Sequence, residues 1–218
     1  MNAGYGGIRG LVFMGNIVVL VPLLMRSLGK EQFACLALVT PFLRFGFNGI
    51  FDFGMAAGVV RHTSRSFAAS DSEGINSYIS SSLVMYMAFG VALICVQYVS
   101  CPSLVSFFVR GDAAVYSPVR ITFGRAVWIY CLFSLCNPFF ALLMGVQKVA
   151  TTHWIGTTSL ILELVGILSL VPVGLTLPRV MWVYGANAVL SLLLSVFFAK
   201  KYFPELRVGL RLVSWFRA

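Results

Sequence analysis

The stretch Gly156–Val173 reads GTTSLILELVGILSLVPV, eighteen residues in which Glu163 is the only charge. A helix needs about 20 mostly apolar residues to cross the hydrocarbon core of a bilayer, and this stretch is close to that length. A carboxylate at such depth costs roughly 2.5 to 3.5 kcal/mol on insertion scales, so it faces a bundle interior or a wet cavity rather than lipid. A second apolar segment, Phe33 to Val60, carries Arg44 and Asp52 in the same way. Together these charges predict an all-α, polytopic membrane helical bundle with a polar path inside it.

Composition supports that class. Of 218 residues, 59% are hydrophobic and 11% charged, with a mean hydropathy of +0.91. Soluble domains carry about 25% charged residues, so this chain is too apolar to be one. The net charge is +9, yet the sixteen Lys and Arg are spread along the chain and concentrate only after Ala199, beside an apolar segment. That placement suits contact with membrane lipids and argues against nucleic acid.

Six segments are long and apolar enough to span, at roughly 8–28, 33–60, 77–101, 119–145, 154–174 and 179–199. They divide the chain into a six-helix transmembrane lobe, 1–199, and a basic amphipathic tail, 200–218. Tyr78, Tyr98, Trp154, Trp182 and Tyr202 lie near span ends, as expected of an interfacial belt. The second and fourth segments are longer than needed, which predicts tilt, or kinks at Pro41 and Pro138. In the tail, Leu206, Leu210 and Val213 fall on one side of a helix and Arg207, Arg211 and Ser214 on another, the pattern of an interfacial helix.

Six spans place both termini on one side. The segment after Arg9 has no small-residue cleavage motif and reads as a retained span. With the N-terminus inside, Arg9, Arg61, Arg65, Lys148 and the five tail cations face the cytoplasm, against Arg26, Lys30, Arg110, Arg120, Arg125 and Arg179 outside. Without the tail the count reverses, so the tail decides for cytoplasmic termini.

No enzyme signature emerges. Cys35, Cys95, Cys101, Cys131 and Cys136 lie within or at the edges of spans and form no CxxC pair, so they read as packing residues. His62 and His153 fall beside predicted loops and read as surface residues. Walker-type loops, GxSxG elbows and HExxH helices are missing from the sequence. Asp71 and Glu73 share one polar turn, where they suit helix capping better than paired-carboxylate glycosyl transfer. The expectation is therefore a non-enzyme without cofactor or metal.

The second span carries most of the chemistry. Thr40, Arg44, Asn48 and Asp52 recur every fourth residue and form one polar stripe on a helix. Asn48 both donates and accepts, so it can link Arg44 to Asp52. Arg44 stays charged at any physiological pH and can hold a phosphate bidentately, so it is read as a binding residue. Asp52 fits either an ion-coupling site or a buried pair that fixes helix register. Gly54 and Gly58 form a small-xxx-small pattern that predicts a close helix contact, and Arg61 marks the exit of the span. Glu163, four residues after Ser159, fits either a proton-exchanging carboxylate or a protonated acid bonded to a neighbouring helix.

Three motifs, in order, resemble the oligosaccharide flippases of the polysaccharide-biosynthesis family. Leu24-Met-Arg-Ser-Leu-Gly-Lys-Glu-Gln-Phe33 looks like their first external turn, although Ala34 stands where a glycine is usual. Asp52-Phe-Gly54 followed by Arg61 is similar to their second-span signature. Asn137-Pro138 with Leu142-Leu-Met-Gly145-Val-Gln147-Lys148 is similar to the fourth span and its basic internal turn. The resemblance covers most of the chain, but family members usually have twelve or more spans in two lobes, and this chain matches one.

The resemblance implies movement of a polyprenyl-diphosphate-linked oligosaccharide across the cell membrane by alternating access, with both termini cytoplasmic. Arg44, with Arg9 and Arg61, would neutralise the diphosphate, Asn48 would orient it, and Asp52 or Glu163 would couple an ion. A single lobe further implies a truncated or half transporter that works as a homodimer or with a separate second lobe. Two other readings stay open: a multidrug or cation exporter of the same superfamily, and a non-transporting assembly subunit of a glycan synthesis complex.

Overall fold

The structure is a computed structural model that describes residues 2–41, 54–108, 113–209 and 212. Among these residues there are seven α-helices, α1 (Asn2–Pro41), α2 (Met55–Ala68), α3 (Ser72–Phe108), α4 (Ala113–Ser134), α5 (Asn137–Gly145), α6 (Val149–Leu170) and α7 (Leu177–Tyr202). No strand occurs among the described residues. This follows from the solvent: in hydrocarbon every backbone group must be satisfied internally, and a helix does so within one segment.

Among the described residues five stretches are long and apolar enough to cross a membrane, Gly6–Ala37, Ser72–Val99, Val119–Gly145, Val149–Leu170 and Leu177–Tyr202. Four correspond to expected spans with ends shifted by a few residues. The first differs, because α1 joins the expected first span to the start of the second. The join is Gly29, whose φ of 77° and ψ of 166° break the helix. Glycine reaches that region without a Cβ clash, which is why the turn can be a single residue. The expected second span thus begins inside α1 and ends inside α2, and its middle, residues 42–53, lies outside the described residues.

The fourth expected span is interrupted where proline predicts it. Helix α4 stops at Ser134, a turn occupies 135–136, and α5 starts with Pro138 in its first turn. Proline lacks the N–H that would bond Ser134 and crowds that carbonyl. At the start of α3, Asp71 accepts a bond from the Gly74 N–H at 2.8 Å and caps the helix, with Glu73 in its first turn.

The bundle is apolar outside, and polar residues are buried within it among apolar ones. Leu11, Val18, Val91, Leu193 and Phe197 are exposed, whereas Asn16, Thr63, Thr122, Asn187 and Ser195 are buried. Two apolar cores fill its ends. One joins Leu28, Leu36, Val119, Ile167, Leu177 and Met181 around Gly29 and the 171–176 turn. The other joins Val59, Ile79, Phe139, Leu142, Ala199 and Phe203. At this second end the start of α1 lies against α6, and Lys148 sits 5.1 Å from the Tyr202 ring. The beginning of the chain, the 69–71 and 146–148 turns and residues 203–209 therefore share one end.

Two expectations are corrected here. Among the described residues nothing comes within 4 Å of a Cβ placed on Gly54 or Gly58, so within that set the close helix contact is not theirs. It belongs to Gly145, where a Cβ would stand 2.7 Å from the Thr63 Cγ2, and where the Ser64 hydroxyl donates to the Gly145 carbonyl at 3.2 Å. The second correction concerns the tail. Helix α7 ends at Tyr202 and residues 203–209 are non-helical, so Leu206 and Arg207 do not sit on an amphipathic helix. The segment instead lies along α3. Ser72 donates to the Glu205 carboxylate, Asn76 bonds the Glu205 carbonyl at 3.0 Å and the Arg207 N–H at 2.9 Å, and the Gly209 N–H reaches the Ser80 hydroxyl at 3.3 Å. Residues 210, 211 and 213–218 lie outside the described residues.

Candidate functional site

Spacings of three and four residues put side chains on one face of a helix. On α6 this relation links Gly156, Ser159 and Glu163, and on α7 it links Tyr184, Asn187 and Ser191. The two faces meet. Ser159 donates to the Asn187 Oδ1 at 2.8 Å, and the Ser191 hydroxyl lies 3.3 Å from that of Ser159. Packing is closest further along, where a Cβ on Gly166 would stand 2.7 Å from the Val183 Cγ1.

Helix α1 closes a third side. Asn16, almost fully buried, donates to the Leu160 carbonyl at 2.9 Å and ties α1 to α6. One face further out, the Arg9 guanidinium lies over Gly156, where a Cβ would stand 2.9 Å from its Cζ. Glycine at 156 keeps that space open.

Between these helices and α5 is a cavity of about 400 Å³. Its polar lining includes Arg9, Asn137, His153, Ser159, Glu163 and Asn187, and its aromatic walls are Phe13, Phe133 and Phe140. Glu163 is only 2% exposed. Seven residues, or about 10 Å of helix, separate it from Gly156 and hence from the resting place of Arg9. The cavity thus holds a cation nearer the turn-bearing end and a carboxylate deeper in. His153 stands near the start of α6, and its Nδ1 is buried without a hydrogen-bond partner among the described residues.

This arrangement suits a polar ligand with an anionic part. A guanidinium matches a phosphate or carboxylate with two parallel N–H bonds. The amides of Asn137 and Asn187 supply donors and acceptors for hydroxyl groups, and the phenyl walls can pack on the apolar face of a sugar ring. Among the described residues no group of three His, Cys, Asp or Glu is placed to hold a metal ion.

Of the residues singled out from the sequence, Arg9 and Glu163 share this cavity. Arg61 does not, since it lies exposed on α2 and is not part of the lining. Arg44, Asn48 and Asp52 lie outside the described residues. His153, expected at the surface, is half-buried in the cavity wall, and His62 stacks on Tyr78 with ring centroids 4.5 Å apart. Asn137, Tyr184, Asn187 and Ser191 line the cavity with no charge to mark them in the sequence, although Tyr184, Asn187, Ser191 and Ser195 repeat at helical spacing just as the 40–52 stripe does.

No protein-family model matches the chain, and no curated protein or solved structure matches it either.

Proposed function

We propose that the chain is a flippase lobe that moves a polyprenyl-diphosphate-linked oligosaccharide across the cell membrane by alternating access, as a half transporter paired with a second copy or a separate second lobe. The observation that carries this reading is the cation-bearing polar cavity enclosed by an otherwise apolar bundle. Arg9 would take a diphosphate oxygen pair at the mouth, and Asn137 and Asn187 would take sugar hydroxyls deeper in. The isoprenoid chain would stay in the surrounding lipid. Arg44 would also neutralise the diphosphate and Asn48 would orient it, Arg61 would attract the diphosphate at the cytoplasmic surface, and Asp52 or Glu163 would couple an ion. Both termini would face the cytoplasm, in keeping with the cationic tail.

The test is complementation of a flippase-deficient strain that co-expresses a compatible second lobe. Arg9→Ala is expected to lower complementation about tenfold or more at unchanged protein level, a loss on the scale of a charged hydrogen bond. Arg9→Lys should keep part of the activity, because it keeps the charge and loses the fork. Full activity in Arg9→Ala would overturn the reading.

A second reading, export of lipophilic cations, is favoured by one observation, the buried carboxylate of Glu163 in the same cavity. Ethidium efflux that depends on Glu163 and not on Arg9 would select it over the flippase.

A further inference from the structure

On the side of α7 turned away from the polar cavity, α4 and α7 enclose a groove of about 640 Å³ that opens outward. Trp128, Trp182, Gly185, Val189 and Leu193 form part of its apolar wall. Gly185 leaves it open, since a Cβ there would meet only Ile129 Cγ1, at 3.8 Å. Such a slot between two spanning helices has the shape to hold a hydrocarbon chain lengthwise.

Its one charged wall residue is Arg125. The guanidinium lies 5.1 Å from the centre of the Trp182 ring and donates through Nη1 to the Pro178 carbonyl at 3.0 Å. Pro178 is in the first turn of α7, so the charge sits where that helix enters the membrane. Trp128 and Trp182, both in the groove wall, are largely exposed, as expected of residues at the headgroup boundary. A carbonyl and an indole face neutralise no charge, and among the described residues one bond leaves most of the five guanidinium N–H donors unused.

We infer that this groove is a binding site for an anionic glycerophospholipid, whose phosphate pairs with Arg125 and one of whose acyl chains lies between Trp128 and Trp182. Charge complementarity selects this occupant. A zwitterionic lipid offers the same phosphate but sets a cationic amine beside the guanidinium, and a second copy of the chain would fill the apolar slot without a phosphate. The site is independent of the proposed transport, because it faces away from the polar cavity and shares no residue with it.

Native mass spectrometry of the delipidated full chain, titrated with phosphatidylglycerol or phosphatidylcholine of identical acyl chains, tests this. Phosphatidylglycerol should bind about fivefold more tightly, the factor that one interfacial cation contributes. Arg125→Gln should bring the two lipids to equal affinity. Gly185→Leu, which fills the slot and leaves the guanidinium in place, should weaken both. Equal binding of the two lipids by the unaltered chain, a preference that survives Arg125→Gln, or undiminished binding in Gly185→Leu would each overturn the proposal. So would a dimer that forms in phosphatidylcholine and is lost in Gly185→Leu, because the groove would then belong to a second copy.

Discussion

The two sides of α7 differ as much as any two regions of the molecule. Tyr184, Asn187 and Ser191 border the polar cavity, while Trp182, Gly185, Val189 and Leu193 border the lipid-facing groove. At 100° per residue, Asn187 and Val189 point about 160° apart. One turn of helix therefore separates two solvents, a polar interior and a hydrocarbon exterior. The difference teaches that polarity in this bundle marks the inside, so a lone Asn or Ser in an apolar span reports where neighbouring helices stand.

The harshest way to break that comparison is to exchange a charge between the sides. Val189→Asp puts a carboxylate near the middle of the Leu177–Tyr202 span on the exposed side. It should cost roughly 2.5 to 3.5 kcal/mol of insertion free energy and sharply lower membrane-integrated yield. Asn187→Asp, two residues away, should insert nearly as well as the unaltered chain. Equal integration of the two variants, measured by glycosylation mapping, would mean that the sides are not distinct.

A smaller effect is expected where α6 and α7 press together. Gly166→Leu must displace Val183, and overpacking of this kind typically costs about 1 to 3 kcal/mol. The melting point in detergent should fall accordingly. An unchanged melting point would place the tight α6–α7 contact elsewhere.

The smallest effect tests the polar side alone. Asn187→Ala removes the acceptor for Ser159, and buried hydrogen bonds between membrane helices average about 0.6 kcal/mol. A slight loss in unfolding free energy, measured in mixed micelles with denaturant, is the expected result. A loss several times larger would show that Asn187 anchors a wider network than its bond to Ser159.

Much of the fold is legible in the sequence because hydrocarbon imposes simple rules. The spans follow from apolar length, the α4–α5 break from Pro138, and the α3 cap from Asp71. The site is less legible. Glu163 announces itself, since a charge amid apolar residues needs an interior place. Arg9 does not, because its place in the cavity wall depends on Gly156, nearly 150 residues later in the chain. Gly54 and Gly58 show the same difficulty in reverse. Small residues permit close approach without compelling it, and the approach occurs at Gly145, whose partner Thr63 no local pattern identifies. The polar side of α7 was readable by spacing, but its residues carry no charge and stand out less than the 40–52 stripe.

The segment 203–209 and the first turns of α3 fit like the two scales of a vernier. Four residues of helix advance about 6 Å, and two residues of extended chain advance about 6.6 Å. Backbone groups at 205 and 207 can thus share Asn76 while the 209 N–H reaches Ser80 one helical turn on, and one turn earlier Ser72 takes the Glu205 side-chain carboxylate. The match divides the segment by parity. Positions 207 and 209 contribute main-chain N–H groups, so their side chains are free to vary and only proline is barred. Position 206, between two rungs, turns the buried Leu206 into the core. A short piece of chain that belongs to neither helix nor sheet thereby acquires a two-residue grammar from the helix beneath it.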